Sequence, residues 1–115
     1  MSENSLVTVT DGTFAELVLA APRPIVVDFW AEWCPPCRPM ASSLAELAEE
    51  LRGEVVIAKL NSDENPETTR AYRVLSLPTL LFFSRGVVVN TIVGLRPKSA
   101  LRQALTGSFT AYSNG

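Results

Sequence analysis

Two apolar runs constrain this chain most: Ile25 to Trp30 and Val55 to Leu60, each broken by one charge, Asp28 and Lys59. Apolar residues at both odd and even positions suit strands covered on both faces, as in a parallel sheet. Between the runs lies a helical pattern. Met40, Leu44, Leu47, Ala48 and Leu51 fall on one side, with Glu46, Glu49, Glu50 and Arg52 on or near the other. Gly53 suits the helix exit. A strand, helix, strand unit of this kind joins parallel strands through a right-handed crossover.

The remaining segments extend that unit. Leu6 to Val9 alternates as a short strand, and Thr13 with Glu16 fits a capping box for a helix carrying Phe14, Leu17, Val18 and Ala21. Pro22 and Pro24 stop it. Asn65-Pro66-Glu67 starts a short helix through Tyr72, and Leu75 to Pro78 makes a turn. Thr79 to Phe83 and Val87 to Val93 flank Ser84-Arg85-Gly86, a hairpin signal. Pro97 opens a last helix with Leu95, Leu101 and Leu105 apolar, and Gly107 ends it. The order βαβαβαββα predicts an α/β domain with a mixed sheet and helices on both faces. Residues 1–107 are expected to form this one domain, with 108–115 a flexible C-terminal tail.

A chain of 115 residues with 47% hydrophobic and 19% charged residues is long enough to bury a core without staples. A net charge of −2, with no basic run, points to no nucleic-acid or anionic-membrane partner. The first residues lack the basic and apolar pattern of a signal peptide, so the expected compartment is the cytoplasm.

The only two cysteines, Cys34 and Cys37, sit where the first run meets the amphipathic segment, in Trp33-Cys34-Pro35-Pro36-Cys37-Arg38. Zinc needs about four ligands, and the chain has no histidine and no third cysteine. A c-type haem site needs histidine where Arg38 stands. A structural disulfide over so short a loop restricts the unfolded chain little. A redox dithiol at a helix N-terminus fits better, because the dipole and free amides favour a thiolate at Cys34. That thiolate attacks a disulfide, and Cys37 resolves the mixed product. Pro35 and Pro36 fit the first helical turn, whereas Pro39 reads as one residue too deep. They also remove two amides that would otherwise face the Cys34 sulfur. The Cys37 amide is then the main donor left, which predicts a less stabilised thiolate and a stronger reductant.

Val27-Asp28-Phe29-Trp30-Ala31-Glu32-Trp33-Cys34-Pro35-Pro36-Cys37 resembles the thioredoxin family, as do Ala58-Lys59-Leu60-Asn61, Leu77-Pro78-Thr79 and Val93-Gly94. The resemblance spans about residues 6 to 107. It departs at Pro35, where the family usually has glycine. It departs again at Ser42, where a helix-kinking proline is usual and Pro39 instead stands three residues earlier. The resemblance implies the thioredoxin fold, a central mixed five-stranded sheet flanked by four helices.

The resemblance also implies roles. By its residue alone, Asp28 reads as a strand-end or salt-bridged acid. The family implies a desolvated acid that exchanges a proton with Cys37, with Lys59 setting the local charge. Lys59 alone reads as a snorkelling surface lysine. Base rates for X–Pro bonds do not make Pro78 cis, but the family does. Leu77 would then offer its backbone to an extended substrate. Trp33, Leu77, Val93, Gly94 and Leu95 would form an apolar rim, joined by Pro35 and Pro36 on the substrate side. Trp30 is readable as core or site. The implied protein is a monomeric protein-disulfide reductase without flavin or nucleotide. Its partners would be disulfide-containing target proteins and an NADPH-dependent thioredoxin reductase. A disulfide oxidant or isomerase, and a non-catalytic binding module, are the alternatives.

Overall fold

The computed structural model describes residues 5–109. Expectations for 1–4 and 110–115, the start of the domain and most of the tail, lie outside the described residues.

Five strands form one mixed sheet: β1 (Val7–Thr8), β2 (Ile25–Trp30), β3 (Val56–Asn61), β4 (Thr79–Ser84) and β5 (Val87–Val93). Their spatial order is β1-β3-β2-β4-β5. The first three run parallel, and β4 and β5 pair antiparallel to their neighbours. Helices α1 (Cys37–Glu50), α2 (Pro66–Ala71) and α3 (Lys98–Gly107), and a π-helical turn at Ala15–Leu19, complete the α/β fold.

The two-residue period of β2 divides the core. Val26 faces one cluster with Met40, Leu44, Leu47, Ile57, Leu80, Phe82, Leu101 and Leu105, so α1 and α3 cover that side. Ile25, Val27 and Phe29 face the other with Phe14, Val18, Ala58, Leu60 and Phe83. There the rings of Phe14, Tyr72 and Phe83 meet with centroids 5.4 to 5.6 Å apart. Asp28 shares the parity of Val26, which directs it under α1. It pairs in register with Lys59 on β3 and Leu80 on β4.

Several local expectations change. The capping pair is Thr10 and Thr13, not Thr13 and Glu16. The Thr10 N–H donates to Thr13 Oγ1 at 2.9 Å, and the Thr13 N–H to Thr10 Oγ1 at 3.2 Å. The turn that follows is π-helical, with the Ala20 N–H reaching the Ala15 carbonyl at 3.0 Å. That wider winding turns Leu17 outward while Phe14 and Val18 stay buried. β3 starts one residue later than the apolar run, because the Val55 N–H closes the preceding turn onto Leu51.

Pro39 is not too deep. It is the third residue of α1 and needs no amide there, since the first ladder bond runs from the Met40 N–H to the Pro36 carbonyl at 3.5 Å. Leu95 lies outside α3, which starts at Lys98 behind Pro97, and is exposed. Gly107 is the last residue of α3. Phe109, placed by sequence in the tail, is buried, and its ring meets that of Phe82 in a tilted pair with centroids 5.8 Å apart. An aromatic side chain next to an open apolar edge gains more from burial than from solvent. Arg85 and Gly86 both take positive φ, 50° and 82°, which makes the hairpin turn between β4 and β5 a tight one.

Candidate active site

The site grows from the C-terminal end of β2. After Trp30 the chain turns, with the Cys34 N–H bonded to the Ala31 carbonyl at 3.2 Å. Pro36 caps α1 and Cys37 is its first residue. Cys34 and Cys37 are joined by a disulfide, with Cα atoms 5.4 Å apart. Both residues are buried, in a small cluster with Ala31 against which Trp30 and Leu77 pack. Pro35 and Pro36 between them are exposed.

The first free amides of α1 do not aim at sulfur in this disulfide form. The Cys37 N–H donates to the Cys34 carbonyl at 3.1 Å, and the Arg38 N–H to the Pro35 carbonyl at 3.3 Å. Sequence placed the Cys37 amide on the Cys34 sulfur. Here the backbone takes it, because a turn that closes the Cys34–Cys37 ring brings carbonyl 34 over amide 37.

Beside Cys37 a cleft of about 340 Å³ opens, lined among others by Asp28, Trp30, Glu32, Arg38, Ser42 and Lys59. Asp28 is 1% exposed, and neither carboxyl oxygen has a hydrogen-bond partner. Burial pushes its pKa from 3.8 up to about 8, against the pull of the Lys59 ammonium. A group so placed holds its proton at neutral pH and gives it up with little effort just above. The Trp30 indole N–H is also buried without a partner.

Opposite the disulfide, the Leu77–Pro78 bond is cis and Pro78 is buried. The Pro78 carbonyl accepts the Gly94 N–H at 2.8 Å, so the Leu77-Pro78 turn and the Val93-Gly94 turn are held together. Gly94 has φ of 94°, a conformation that favours glycine. Among the described residues no backbone hydrogen bond engages the Leu77 N–H or carbonyl. Val93 and Leu95 flank Gly94 and are exposed, but neither joins the cluster packed on the cysteines.

Trp33 is 65% exposed, yet its indole N–H donates to Asp63 Oδ2 at 2.8 Å. Asp63 was not singled out from sequence. It sits in the loop after β3, where Asn61 Oδ1 accepts the Asp63 and Glu64 N–H groups at 3.0 and 3.3 Å. The signal was present in the polar run Asn61 to Glu64, since an exposed tryptophan near a loop rich in acceptors finds one. Leu75, which by sequence reads only as part of a turn, is 95% exposed.

A mixed five-stranded sheet with a cysteine pair at the start of its longest helix defines a dithiol–disulfide oxidoreductase. The thioredoxin family model matches residues 5–107. The chain is 52% identical over 96 residues to a thioredoxin of Streptomyces clavuligerus, covering 84% of this chain and 89% of that protein. It is 44% identical over 104 residues to a thioredoxin of Mycobacterium bovis, covering 90% of each. It is also 44% identical over 100 residues to a bifunctional thioredoxin reductase/thioredoxin of Mycobacterium leprae, covering 87% of this chain and 22% of that one. The chain belongs to the thioredoxin family. It is a thiol–disulfide oxidoreductase that reduces protein disulfides, with Cys34 and Cys37 as its redox pair. Among the described residues no helix is long and apolar enough to cross a membrane.

Proposed function

We propose that Cys34 is the attacking thiolate, Cys37 the resolving thiol and Asp28 the proton acceptor for Cys37. In the reduced protein the Cys34 thiolate attacks one sulfur of a target disulfide, and the target's second sulfur leaves as a thiolate. The ionised form of Asp28, about a tenth of the population at pH 7, then takes the proton of the Cys37 thiol, and the Cys37 thiolate attacks the Cys34 sulfur. The target leaves as a dithiol, two electrons richer, and the Cys34–Cys37 disulfide remains. Burial raises the Asp28 carboxyl to about 8, which makes its ionised form a stronger base toward a thiol than an ordinary carboxylate is. Lys59, in register with Asp28, tempers the acid's pKa.

The observation that carries this reading is a buried, unpartnered carboxyl in the same cleft as Cys37. The unengaged Leu77 backbone supports an extended target segment pairing there, beside cis Pro78. Trp33, Pro35, Pro36, Val93, Gly94 and Leu95 would give that segment an apolar surround. The dithiol must be regenerated. A relative that carries a thioredoxin reductase in the same chain supports a thioredoxin reductase as the electron source here. We place the protein in the cytoplasm, because a reducing compartment keeps the pair as the dithiol that the reaction needs.

The assignment of the two cysteines is tested with single variants and an oxidised target. Cys37→Ser accumulates a covalent adduct through Cys34, visible by mass, while Cys34→Ser does not. An adduct on Cys37 would reverse the roles. Insulin reduction with dithiothreitol by the wild type, at the rate of the Cys34→Ser, Cys37→Ser double variant, would leave the pair without a part in turnover.

A further inference from the structure

A second depression, of about 580 Å³, opens next to the site and is lined by Ser62, Thr69, Arg70, Arg73, Val74 and Leu75, with Pro66. It adjoins the active-site rim on two sides. The Ser62 N–H is bonded to the Trp30 carbonyl at 2.8 Å, and the next residue, Asp63, holds the Trp33 indole. At the other side, Leu75 is two residues from Leu77, which packs on the cysteines. A target segment that reaches the disulfide therefore lies within a few residues of this groove.

The groove is cationic. Among the described residues neither Arg70 nor Arg73 forms an ion pair. The nearby carboxylates of Asp11 and Asp63 accept hydrogen bonds from other groups. Asp11, which interacts electrostatically with Arg70, accepts the Glu67 and Thr68 N–H groups at 3.1 and 2.8 Å. Asp63 accepts from Trp33. Glu64 and Glu67 are exposed and make no ion pair with either arginine. Ser62 lines the groove at 8% exposure, and its Oγ is buried with no partner. A buried hydroxyl without a partner is unusual and marks a donor that a ligand group can satisfy. Arg73 adopts φ of 54°, the left-handed region where a helix end is usually served by glycine. Leu75, 95% exposed, adds an apolar contact at the edge.

We propose that this groove is a specificity subsite that takes an acidic side chain of the target segment flanking the disulfide under reduction. Arg70 and Arg73 would pair with the carboxylate, Ser62 would supply a hydroxyl, and Leu75 would cover the adjoining apolar part. The occupant is a carboxylate because two arginines without ion pairs select an anion, on a chain whose net charge of −2 otherwise repels one. The subsite rests on the disulfide-reductase reading of Cys34 and Cys37.

The test uses two synthetic peptides with the same intramolecular disulfide, one followed by Asp-Glu and the other by Asn-Gln. Reduction by the full chain is followed as kcat/KM. The acidic peptide is expected to react about fivefold faster, the gain that two exposed ion pairs supply. The advantage should shrink as salt is raised from low ionic strength to about 0.5 M. Arg70→Glu with Arg73→Glu should erase or invert the preference while leaving the Asn-Gln peptide within twofold. Arg23→Ala with Arg52→Ala removes two positive charges at the opposite end of β3 and should keep the preference. Equal rates for the two peptides, or a preference that survives charge reversal at 70 and 73, would overturn the subsite alone. Reduction of neither peptide would overturn the reductase reading and the subsite with it.

Discussion

Replacing Asp28 by asparagine should stabilise this protein, and by an amount that depends on pH. In the fold the carboxyl is buried without a hydrogen-bond partner and holds its proton up to about pH 8; in the unfolded chain it releases it near 3.8. Below pH 3.8 both states are protonated and the titration costs nothing. Between 3.8 and 8 only the unfolded chain ionises, so stability falls as pH rises, by about 1.4 kcal/mol per pH unit. The accumulated cost is about 4 kcal/mol at pH 7 and levels off above pH 8, a large share of a small domain's usual stability. An asparagine side chain here would be as poorly partnered as the neutral acid but cannot ionise, so the difference between the two proteins isolates the titration. Urea unfolding of the oxidised forms from about pH 4 to 9 measures it. The variant should match the wild type near pH 4 and exceed it by about 4 kcal/mol at pH 7. A difference that stays flat across this range would refute the raised pKa, and with it the proton-acceptor role. Lys59→Met removes the charge that lowers the acid's pKa and should move the upper break to higher pH.

Three further outcomes are expected. Pro35 lies in the turn ahead of α1 rather than in its first helical turn. Pro35→Gly restores an amide in that turn and should lower the Cys34 thiol pKa by about one pH unit, one hydrogen bond to a charged group, in a thiolate absorbance titration; an unchanged or higher value would remove Pro35 as the cause. Gly94→Val forces a branched side chain into φ of 94°, with its Cβ 3.4 Å from an Arg96 guanidinium nitrogen. It should cost about 1–2 kcal/mol in urea and lower kcat/KM for protein targets, and wild-type behaviour in both would show that the Gly94 turn is not needed. Phe109→Ala should lose about 3 kcal/mol by opening a gap against Phe82. A loss below about 0.5 kcal/mol would mean that residue 109 adds nothing to the core.

The sequence by itself determined the elements that periodicity encodes strongly. β2 and β5 run over the residues that the apolar pattern marks, and the βαβ crossover follows from two runs apolar on both parities around an amphipathic helix. The cysteine pair was legible for the same reason: it has two members and no competing ligand. Local features set by backbone bonding were less legible. The π-helical winding that exposes Leu17, the Thr10–Thr13 cap and the place of Pro39 depend on which carbonyl each amide reaches, and side-chain spacing does not report that.

Only the tertiary structure decided what surrounds the disulfide. Asp28 is an acid in an apolar strand by sequence; it is unpartnered because β3, β4 and α1 close over it, and that closure pushes its pKa toward that of a thiol. Asp63 meets Trp33 across 30 residues, and Phe109 reaches Phe82 on the face of the sheet that α1 and α3 cover. Leu77-Pro78 and Gly94 meet only when β4 and β5 pair. Such contacts join residues far apart in the chain, and their energies come from desolvation and packing that exist only once the sheet is covered.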